Sequence, residues 1–473
     1  MSRRPPAPTP HAEAPTLERR LGPLDAAAVI VSNVIGGGIL FTPPLVAATV
    51  TNPWWFLSVW VAGGALAFAG AMAYAELAAL RPRAGGEYVY LRDAYGRLAA
   101  FLTGWTSFVA GFSGAIAASS VFLAIYLDRF FPGAGSSAEI FRIPLPLVPL
   151  ILSNQSLVAL ATIVLMSWVH LRGVGPGRLM GNILAALKVS ALLVFIAAGF
   201  SFGAGSTSNL QQGAGTVTAT AWLFALIPVM FAYSGWNAAA YIAEEIRDPG
   251  RNVPRALALG TVAVIAVYVL LNVLYLFVLP VDELAQVKGS VLDVIADKLL
   301  NETAGHVMGL VSIISLAASI SANVFAGPRV YYAMARDGLF LPAARSIHPR
   351  FRTPAAAIVA QAIWSSLLVL TGSGETLTTY TGFSIILFGG IAVGALFVLR
   401  HREPDAPRPF RALGYPVAPA IFVIAMLLIV LNALWGDLGR PILNDLPWGP
   451  SAAGLIVIGL GFPVYYWLGR RSR

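Results

Sequence analysis

The chain has 473 residues, of which 57% are hydrophobic and only 11% are charged, and it carries a formal net charge of +9. Apolar runs of about 20 residues recur along it, the length that crosses a bilayer as a helix. This composition excludes an ordinary soluble globular protein and predicts one polytopic, all-α membrane domain. Cysteine is absent, which excludes disulfides and cysteine metal sites. The five histidines show no ligand spacing, so we expect neither a metal nor a cofactor.

The placement of the positive charge predicts the topology. If the first apolar run starts from the cytoplasm, most arginines fall in cytoplasmic segments. The basic residues expected outside are Arg129, Arg142, Lys288, Lys298 and Arg440. This asymmetry follows the positive-inside rule and predicts a plasma (inner) membrane protein with both termini in the cytoplasm and an even number of spans. Because the positive charge is explained by the orientation of the helices in the membrane, we expect no nucleic-acid partner.

Twelve spans are predicted in chain order. They are about 25–49, 54–79, 99–127, 148–170, 179–200, 221–243, 255–279, 304–334, 354–371, 376–399, 417–435 and 450–468. Residues 1–20 are expected to form a disordered cytoplasmic tail, 21–400 a core of two inverted five-span repeats, and 401–473 a linker with two further spans. Small residues in the second span, at Gly63, Gly64 and Gly70, predict close helix packing. A short interfacial helix is expected between Arg81 and Arg97.

Two spans are interrupted at corresponding places. Gly36-Gly37-Gly38 lies inside the first span, and each glycine costs about 1 kcal/mol relative to alanine in a helix interior. The sixth span is interrupted at Phe231–Asn237, shortly after Pro228. Irregular backbone at membrane depth is tolerated only where it is buried in protein or lines a wet cavity. Paired breaks of this kind indicate the binding site of a transporter.

The ends of broken helices present main-chain groups of both polarities. We expect a ligand carboxylate to bind the N–H groups of Gly37, Gly38 and Ile39, with Gly36 allowing close approach of the ligand. We expect a ligand ammonium to bind main-chain carbonyls. These belong to Val34, Ile35, Phe231, Ala232 and Ser234. The site therefore predicts a zwitterion, an α-amino acid, rather than a sugar or a simple anion.

Several side chains near the breaks have two interpretations. Phe231 and Trp236 are predicted to gate the ligand, and bulk core packing is the alternative. Tyr233 and Asn237 can hydrogen-bond either the backbone or the ligand.

Carboxylates at predicted cytoplasmic span ends also have alternatives. Glu76 is expected to pair with Arg81 or to reach the interface. Glu244 and Glu245 are expected either to contact arginines of a cytoplasmic gate or to be solvated.

Lys188 lies about midway through the fifth predicted span. A lysine at the bilayer centre costs about 3 kcal/mol on insertion scales and indicates a function. We expect loop carbonyls to hold its ammonium at the position where a sodium-coupled transporter would bind Na⁺, which predicts sodium independence. A desolvated ammonium that loses its proton would instead predict proton coupling. Its candidate partners in span 8 are Ser312, Ser315 and Ser319, of which Ser315 is taken as the coupling residue.

Four motifs resemble the amino acid–polyamine–organocation superfamily. Gly36-Gly37-Gly38-Ile39-Leu40 resembles that family's Gly-Ser-Gly-Ile-Phe pattern in span 1. Tyr74-Ala75-Glu76-Leu77, followed by Pro82 and Gly85–Tyr88, resembles the family's span-2 exit. Phe231–Asn237, followed by Glu244-Glu245 and Pro249–Pro254, resembles its span 6. Arg329–Pro342, followed by His348-Pro349, resembles its span-8 exit. The resemblance covers residues 20–470 and is strongest to the L-type amino acid transporter branch, in which a span-5 lysine matches Lys188.

The resemblance implies the twelve-span inverted-repeat fold, alternating access, recognition of the amino-acid backbone at spans 1 and 6, and sodium-independent exchange. Animal members of this branch join a glycoprotein through a cysteine, so this cysteine-free chain is expected to have no disulfide-linked heavy subunit. Gly37 replaces the usual serine, a change that we expect to weaken substrate binding or to widen substrate selectivity.

We expect an exchanger of neutral L-amino acids. The alternatives are a proton-coupled symporter and, more distantly, a transport-dead receptor; an enzyme is not expected, and the oligomeric state stays open.

Overall fold

The computed structural model describes residues 17–144, 149–211, 216–371, 374–439 and 449–471. Most of the tail predicted for 1–20 therefore lies outside the described residues. Across the described ranges the regular structure is helical, apart from one hairpin of two short antiparallel strands, β1 Phe141–Ile143 and β2 Leu150–Leu152. The predicted all-α class is confirmed.

The first half of the chain contains two halves of one bent span and four further long helices, with a short helix between them. These are α1 Pro23–Val34, α2 Gly37–Thr49, α3 Pro53–Leu80, α4 Glu87–Tyr95, α5 Arg97–Leu127, α6 Asn154–Leu171 and α7 Val174–Phe202. Helix α4 is the short helix that was predicted between the second and third spans.

The second half begins with another interrupted helix. Its helices are α8 Ala219–Ala232, α9 Ala238–Tyr241, α10 Pro249–Val278, α11 Val281–Leu284, α12 Val291–Leu299, α13 Glu302–Arg336, α14 Ala355–Thr371, α15 Gly374–Arg402, α16 Val417–Leu434 and α17 Pro450–Arg471.

Nine helices in the described ranges are long and apolar enough to cross a membrane, and the bent pair α1–α2 makes a tenth. The apolar helices α8 and α14 are shorter. Every predicted span coincides with a helix or a helix pair, and the protein is a multi-pass membrane protein. The count of twelve crossings and the inverted repeat remain predictions.

Small residues let the helices approach closely, as predicted for α3. A Cβ atom at Gly63 would lie 2.5 Å from Val229 on α8, and one at Gly70 would lie 2.8 Å from Phe422 on α16. Helix α3 also packs along α10, and α5 packs along α13. Helix α1 packs against α7, α10 and α13, and α8 packs against α2 and α3, so both interrupted helices lie inside the helix bundle.

Candidate functional site

The first break is short. Helix α1 ends at Val34, Ile35 is extended, Gly36 has φ −152° and ψ −141°, and α2 begins at Gly37 with a bend of 45° between the two axes. The break that the three glycines predicted is therefore present. The helix resumes at Gly37, two residues earlier than a break across all three glycines would give. Consequently Gly37, Gly38 and Ile39 form the first turn of α2, whose N–H groups have no partner within the helix.

The main chain at the first break is accessible. Gly37 and Gly38 are partly exposed, whereas Ile39 is buried. A Cβ atom at Gly37 would lie 3.9 Å from Phe122 and from Phe41, which is ordinary van der Waals contact, so a methyl group fits there without a clash. The first turn of α2 presents the positive end of its helix dipole at this point.

The second break spans five residues. Helix α8 ends at Ala232, and α9 begins at Ala238. Gly235 has φ +100°, a conformation that only glycine adopts readily. Local turns organise this segment, because the N–H of Ser234 donates to the carbonyl of Phe231 at 2.9 Å.

The two breaks touch each other. A Cβ atom at Gly38 would lie 2.6 Å from the Cα of Ala232, and one at Gly235 would lie 2.9 Å from the side chain of Asn33. Residues in these positions must therefore be glycine for the backbones to approach. The structure brings together the first turn of α2 and the last turn of α8, as a shared site requires.

Tyr268 of α10 joins the two breaks, and sequence reasoning missed it. Its hydroxyl lies 2.7 Å from the carbonyl oxygen of Val34 and 3.0 Å from that of Ala232, and both contacts are buried. A phenol has one proton, so it donates to one carbonyl at a time or shares the proton between them. Tyr268, Asn272 and Tyr275 are polar positions in the apolar run of α10, and this was the signal that could have directed attention to Tyr268.

Lys188 is fully buried and caps the end of α1. Its Nζ donates to the carbonyl oxygen of Ile35 at 2.6 Å and to that of Ser32 at 3.1 Å. The last carbonyls of a helix carry the negative end of its dipole, so a cation there is favourable. This arrangement matches the expectation that loop carbonyls satisfy the ammonium.

The serines of α13 have other neighbours. Ser319 lies against Gly36, where a Cβ atom would come within 3.2 Å of the serine Cβ, and Ser312 donates to Asp293 at 3.4 Å. Within the described chain, Ser315 is buried but makes no hydrogen bond to Lys188. The coupling role of Ser315 thus stays a prediction without a direct contact.

Most carbonyls predicted to receive a ligand ammonium already accept one hydrogen bond. The carbonyl of Ile35 accepts from Lys188, and that of Phe231 accepts from the N–H of Ser234. The carbonyls of Val34 and Ala232 share the one proton of the Tyr268 hydroxyl. Each carbonyl oxygen has two lone pairs, so a second donor can still bind. Protein donors therefore already stabilise these helix ends, and the binding of a ligand ammonium there stays a prediction.

The two candidate gate residues differ in environment. Phe231 is partly exposed and lies against Gly382 of α15. The Trp236 ring is 6% exposed and packs edge-on between Tyr74 and Phe422, with centroid distances of 4.9 and 5.8 Å. Trp236 thus packs as a core residue does in this conformation, whereas Phe231 is the more exposed of the two, and the gate role of both stays a prediction.

The polar side chains of the second break bond to the protein. Tyr233 donates to the carbonyl of Trp60 at 3.1 Å, and Asn237 donates to the hydroxyl of Tyr241 at 3.0 Å. Of the two partners left open for these residues, backbone or ligand, the backbone is the one that Tyr233 uses. Asn237 instead contacts a side chain of α9.

Buried ion pairs join the predicted cytoplasmic ends of the helices. Glu245 and Arg329 form two contacts of 2.7 and 3.1 Å, and both side chains are at most 1% exposed. The expectation of an arginine contact is confirmed for Glu245, and the solvated alternative is wrong for it. Glu244 accepts from the N–H of Ala84 at 2.9 Å.

Glu76 does not pair with Arg81. The Glu76 carboxylate is buried and contacts Arg400 at 2.6 Å and Arg408 at 3.2 Å. The predicted pair was wrong because residues five positions apart lie on different faces of a helix. Arg81 instead pairs with Asp93 at 3.0 Å and with Glu403 at 2.7 Å.

Known proteins resemble this chain along nearly its whole length. The amino acid permease family matches residues 21–460. The chain is 29% identical over 469 residues to the b(0,+)-type amino acid transporter 1 of Mus musculus, covering 97% of this chain and 91% of that protein. It is 28% identical to the large neutral amino acids transporter small subunit 2 of Rattus norvegicus, covering 97% and 83%. It is 26% identical to the serine/threonine exchanger SteT of Bacillus subtilis (strain 168), covering 98% and 99%.

All three relatives are named for amino-acid transport or exchange, and none is named as an enzyme. Together with the membrane-spanning helices, the family match assigns amino-acid transport to this chain. The superfamily resemblance carried by the motifs is confirmed. The chain belongs to the amino acid permease family of the amino acid–polyamine–organocation superfamily, on its L-type transporter branch.

Proposed function

We propose that this protein is a sodium-independent exchanger of neutral L-amino acids that works by alternating access, with residues 21–400 as its transport core and both termini in the cytoplasm. The observation that carries the proposal is the Lys188 ammonium bound to the carbonyls of Ile35 and Ser32. A fixed cation at the end of α1 supplies the charge that a coupling Na⁺ would otherwise supply.

The substrate carboxylate is assigned to the N–H groups of Gly37, Gly38 and Ile39, and its ammonium to the second lone pairs of the carbonyls that end α1 and α8. Both ends of a zwitterion are then recognised by main chain alone. The cationic charge of Lys188 near the site disfavours substrates with a second ammonium. One relative is named for large neutral amino acids and another for serine/threonine exchange, which supports a neutral side chain of either size.

A proton-coupled symporter is the second candidate, and the complete burial of Lys188 favours it. An ammonium removed from water is costly, so a proton-release step during the cycle relieves this cost. In a symporter the substrate and a proton cross the membrane together, so uptake needs no substrate inside the liposome.

Counterflow separates the two candidates. Purified protein in liposomes loaded with unlabelled serine, alanine or leucine should accumulate the labelled amino acid from a sodium-free medium, and empty liposomes should not. Uptake that ignores internal substrate but follows an imposed proton gradient would assign symport. Binding without either form of uptake would assign the transport-dead receptor.

A further inference from the structure

A large open cavity lies between the start of α10 and the linker that joins α15 to α16. Its volume is about 730 Å³, within the range of sites that take small molecules. Residues in the range 248–258 line it from α10, Pro409, Phe410 and Leu413 line it from the linker, and the buried Met72 of α3 completes the wall. Neither break contributes a residue to the described lining, so this cavity is separate from the amino-acid site.

The linker wall of the cavity is held in place by a buried carboxylate of α3. Glu76 accepts from the N–H of Ala412 at 2.7 Å and contacts Arg408 at 3.2 Å. Where α10 begins, a Cβ atom at Gly250 would lie 3.0 Å from Pro409, so the two walls meet at this end. The cavity is therefore formed by the protein itself, without a ligand to order it.

Two arginines of the lining have no acceptor. Arg251 and Arg255 are about one turn apart on α10, and both are exposed. Within the described residues, neither guanidinium makes an ion pair or a side-chain hydrogen bond. Asp248 is the one carboxylate of the described lining, so two guanidinium groups and one carboxylate leave one excess positive charge. A guanidinium binds phosphate through two parallel N–H donors, which makes this wall complementary to a phosphate anion.

Exposed apolar side chains continue from the cavity along both neighbouring helices. On α10, Leu259 and Val262 follow Arg255 by four and seven residues, so the three share one helix face, and the two apolar residues are 55% and 52% exposed. On α16, Val417 and Ile421 are likewise exposed. Exposed apolar faces of membrane-spanning helices contact acyl chains. The cavity thus places positive charge at one end of an apolar groove, which matches the shape of a phospholipid.

We propose that this cavity binds the head group of an anionic phospholipid, with Arg251 and Arg255 on the phosphate and the acyl chains along the exposed faces of α10 and α16. Basic pockets between membrane helices are typical head-group sites. A zwitterionic head group brings an ammonium towards the same two guanidinium groups, so the site disfavours it. The proposal rests on the proposed function only for the orientation, which makes the bound leaflet the cytoplasmic one.

Two matched double variants test the role of the charge. Arg251→Gln with Arg255→Gln removes both guanidinium groups from the cavity. Arg83→Gln with Arg345→Gln is the control, because these arginines are also exposed but lie outside the described lining. Both double variants change the net charge of the protein equally, so a general electrostatic attraction of lipid affects them equally.

The measurement is native mass spectrometry of the purified protein in a neutral detergent, with equimolar phosphatidylglycerol and phosphatidylcholine of the same acyl chains. Wild type and the control should bind phosphatidylglycerol in preference by about tenfold, and the cavity double variant should lose this preference, as the loss of charged hydrogen bonds requires. Equal binding of the two lipids to wild type, as expected if the arginines serve only orientation, would overturn the proposal. An equal loss in both double variants would also overturn it.

A second pair of variants leaves the charge unchanged. Ala258→Phe places a ring in the cavity, whereas Ala263→Phe places the same ring on an exposed position of α10 outside the described lining. Ala258→Phe should lower phosphatidylglycerol binding by about fivefold or more, because the ring takes the volume that the head group needs. If the two variants bind this lipid equally, the cavity is not its site.

Inorganic phosphate separates a lipid from a free anion of the same chemistry. At about tenfold excess it should leave phosphatidylglycerol bound, because it gains nothing from the apolar walls. Displacement of the lipid by inorganic phosphate would overturn the assignment. None of these measurements uses an amino acid or counterflow. A protein that binds phosphatidylglycerol at this site but does not transport therefore fails the proposed function alone.

Discussion

The two breaks are stabilised in different ways. The first has two residues, and a lysine from another helix holds the carbonyls at its start. The second has five residues and is organised by its own turns and by Gly235 at positive φ. Tyr268 contacts a carbonyl at each break, so the difference between the breaks is that the first also needs a charge from another helix, whereas the second has its own turns. We expect the first to be the more sensitive to single substitutions.

Removing the distant charge should have the largest effect. Hydrogen bonds to charged groups contribute about 1.5–3 kcal/mol each, so Lys188→Ala should lower the initial counterflow rate by at least about 30-fold while the protein stays folded. Uptake in proteoliposomes and the melting temperature measure the two effects. The control is Lys288→Ala, an exposed lysine of the segment before α12. Near-normal transport kinetics in Lys188→Ala would show that transport does not need the ammonium.

A substitution that disturbs the contact between the two breaks should have the next largest effect on transport. Gly38→Ala would place a methyl group 2.6 Å from the Ala232 backbone, and overpacking of this kind costs about 1–3 kcal/mol. Transport should fall by about 5- to 100-fold. Gly37→Ala is the control, because its new Cβ has no neighbour closer than 3.9 Å. If both variants lose activity equally, close packing is not what position 38 requires.

Tyr268→Phe should have an intermediate effect. It removes the one donor shared by the carbonyls of Val34 and Ala232, a loss of about 1 kcal/mol, so the counterflow rate should fall by about fivefold. Tyr275→Phe on the same helix is a close control, since that hydroxyl is buried with no described hydrogen-bond partner. Equal rates for the two variants would show that the bridge between the breaks carries no function.

The smallest effect should come from a titration away from both breaks. Burial raises the pKa of Asp293 on α12 from 3.8 to about 6, and the hydrogen bond from Ser290 opposes this. The folded state thus holds the proton more tightly than the unfolded state does. The resulting stability is present below about pH 4 and is lost as pH rises through about 6.

Asp293→Asn should remove that dependence. The difference in melting temperature between wild type and variant should change by about 2–4 °C between about pH 4 and about pH 7. Asp282→Asn, on the exposed surface of α11, is the control. A difference that stays constant with pH would mean that Asp293 does not titrate in this range.

Sequence patterns predicted the helices and both breaks because glycine and proline act locally on backbone conformation. They also identified Lys188, since a charge inside an apolar run is costly. They did not find Tyr268 or the pair of Glu76 with Arg400, because these contacts join positions far apart in the chain. Trp236 illustrates the same limit: its neighbours come from α3 and α16, and periodicity within one helix says nothing about them.

The most direct test of the site is a structure of the protein with a neutral L-amino acid bound. The account predicts the ligand carboxylate within hydrogen-bond distance of the N–H groups of Gly37, Gly38 and Ile39, and the ligand ammonium on the carbonyls that end α1 and α8. A ligand bound elsewhere, or bound with its carboxylate on a cationic side chain instead of the first turn of α2, would contradict it.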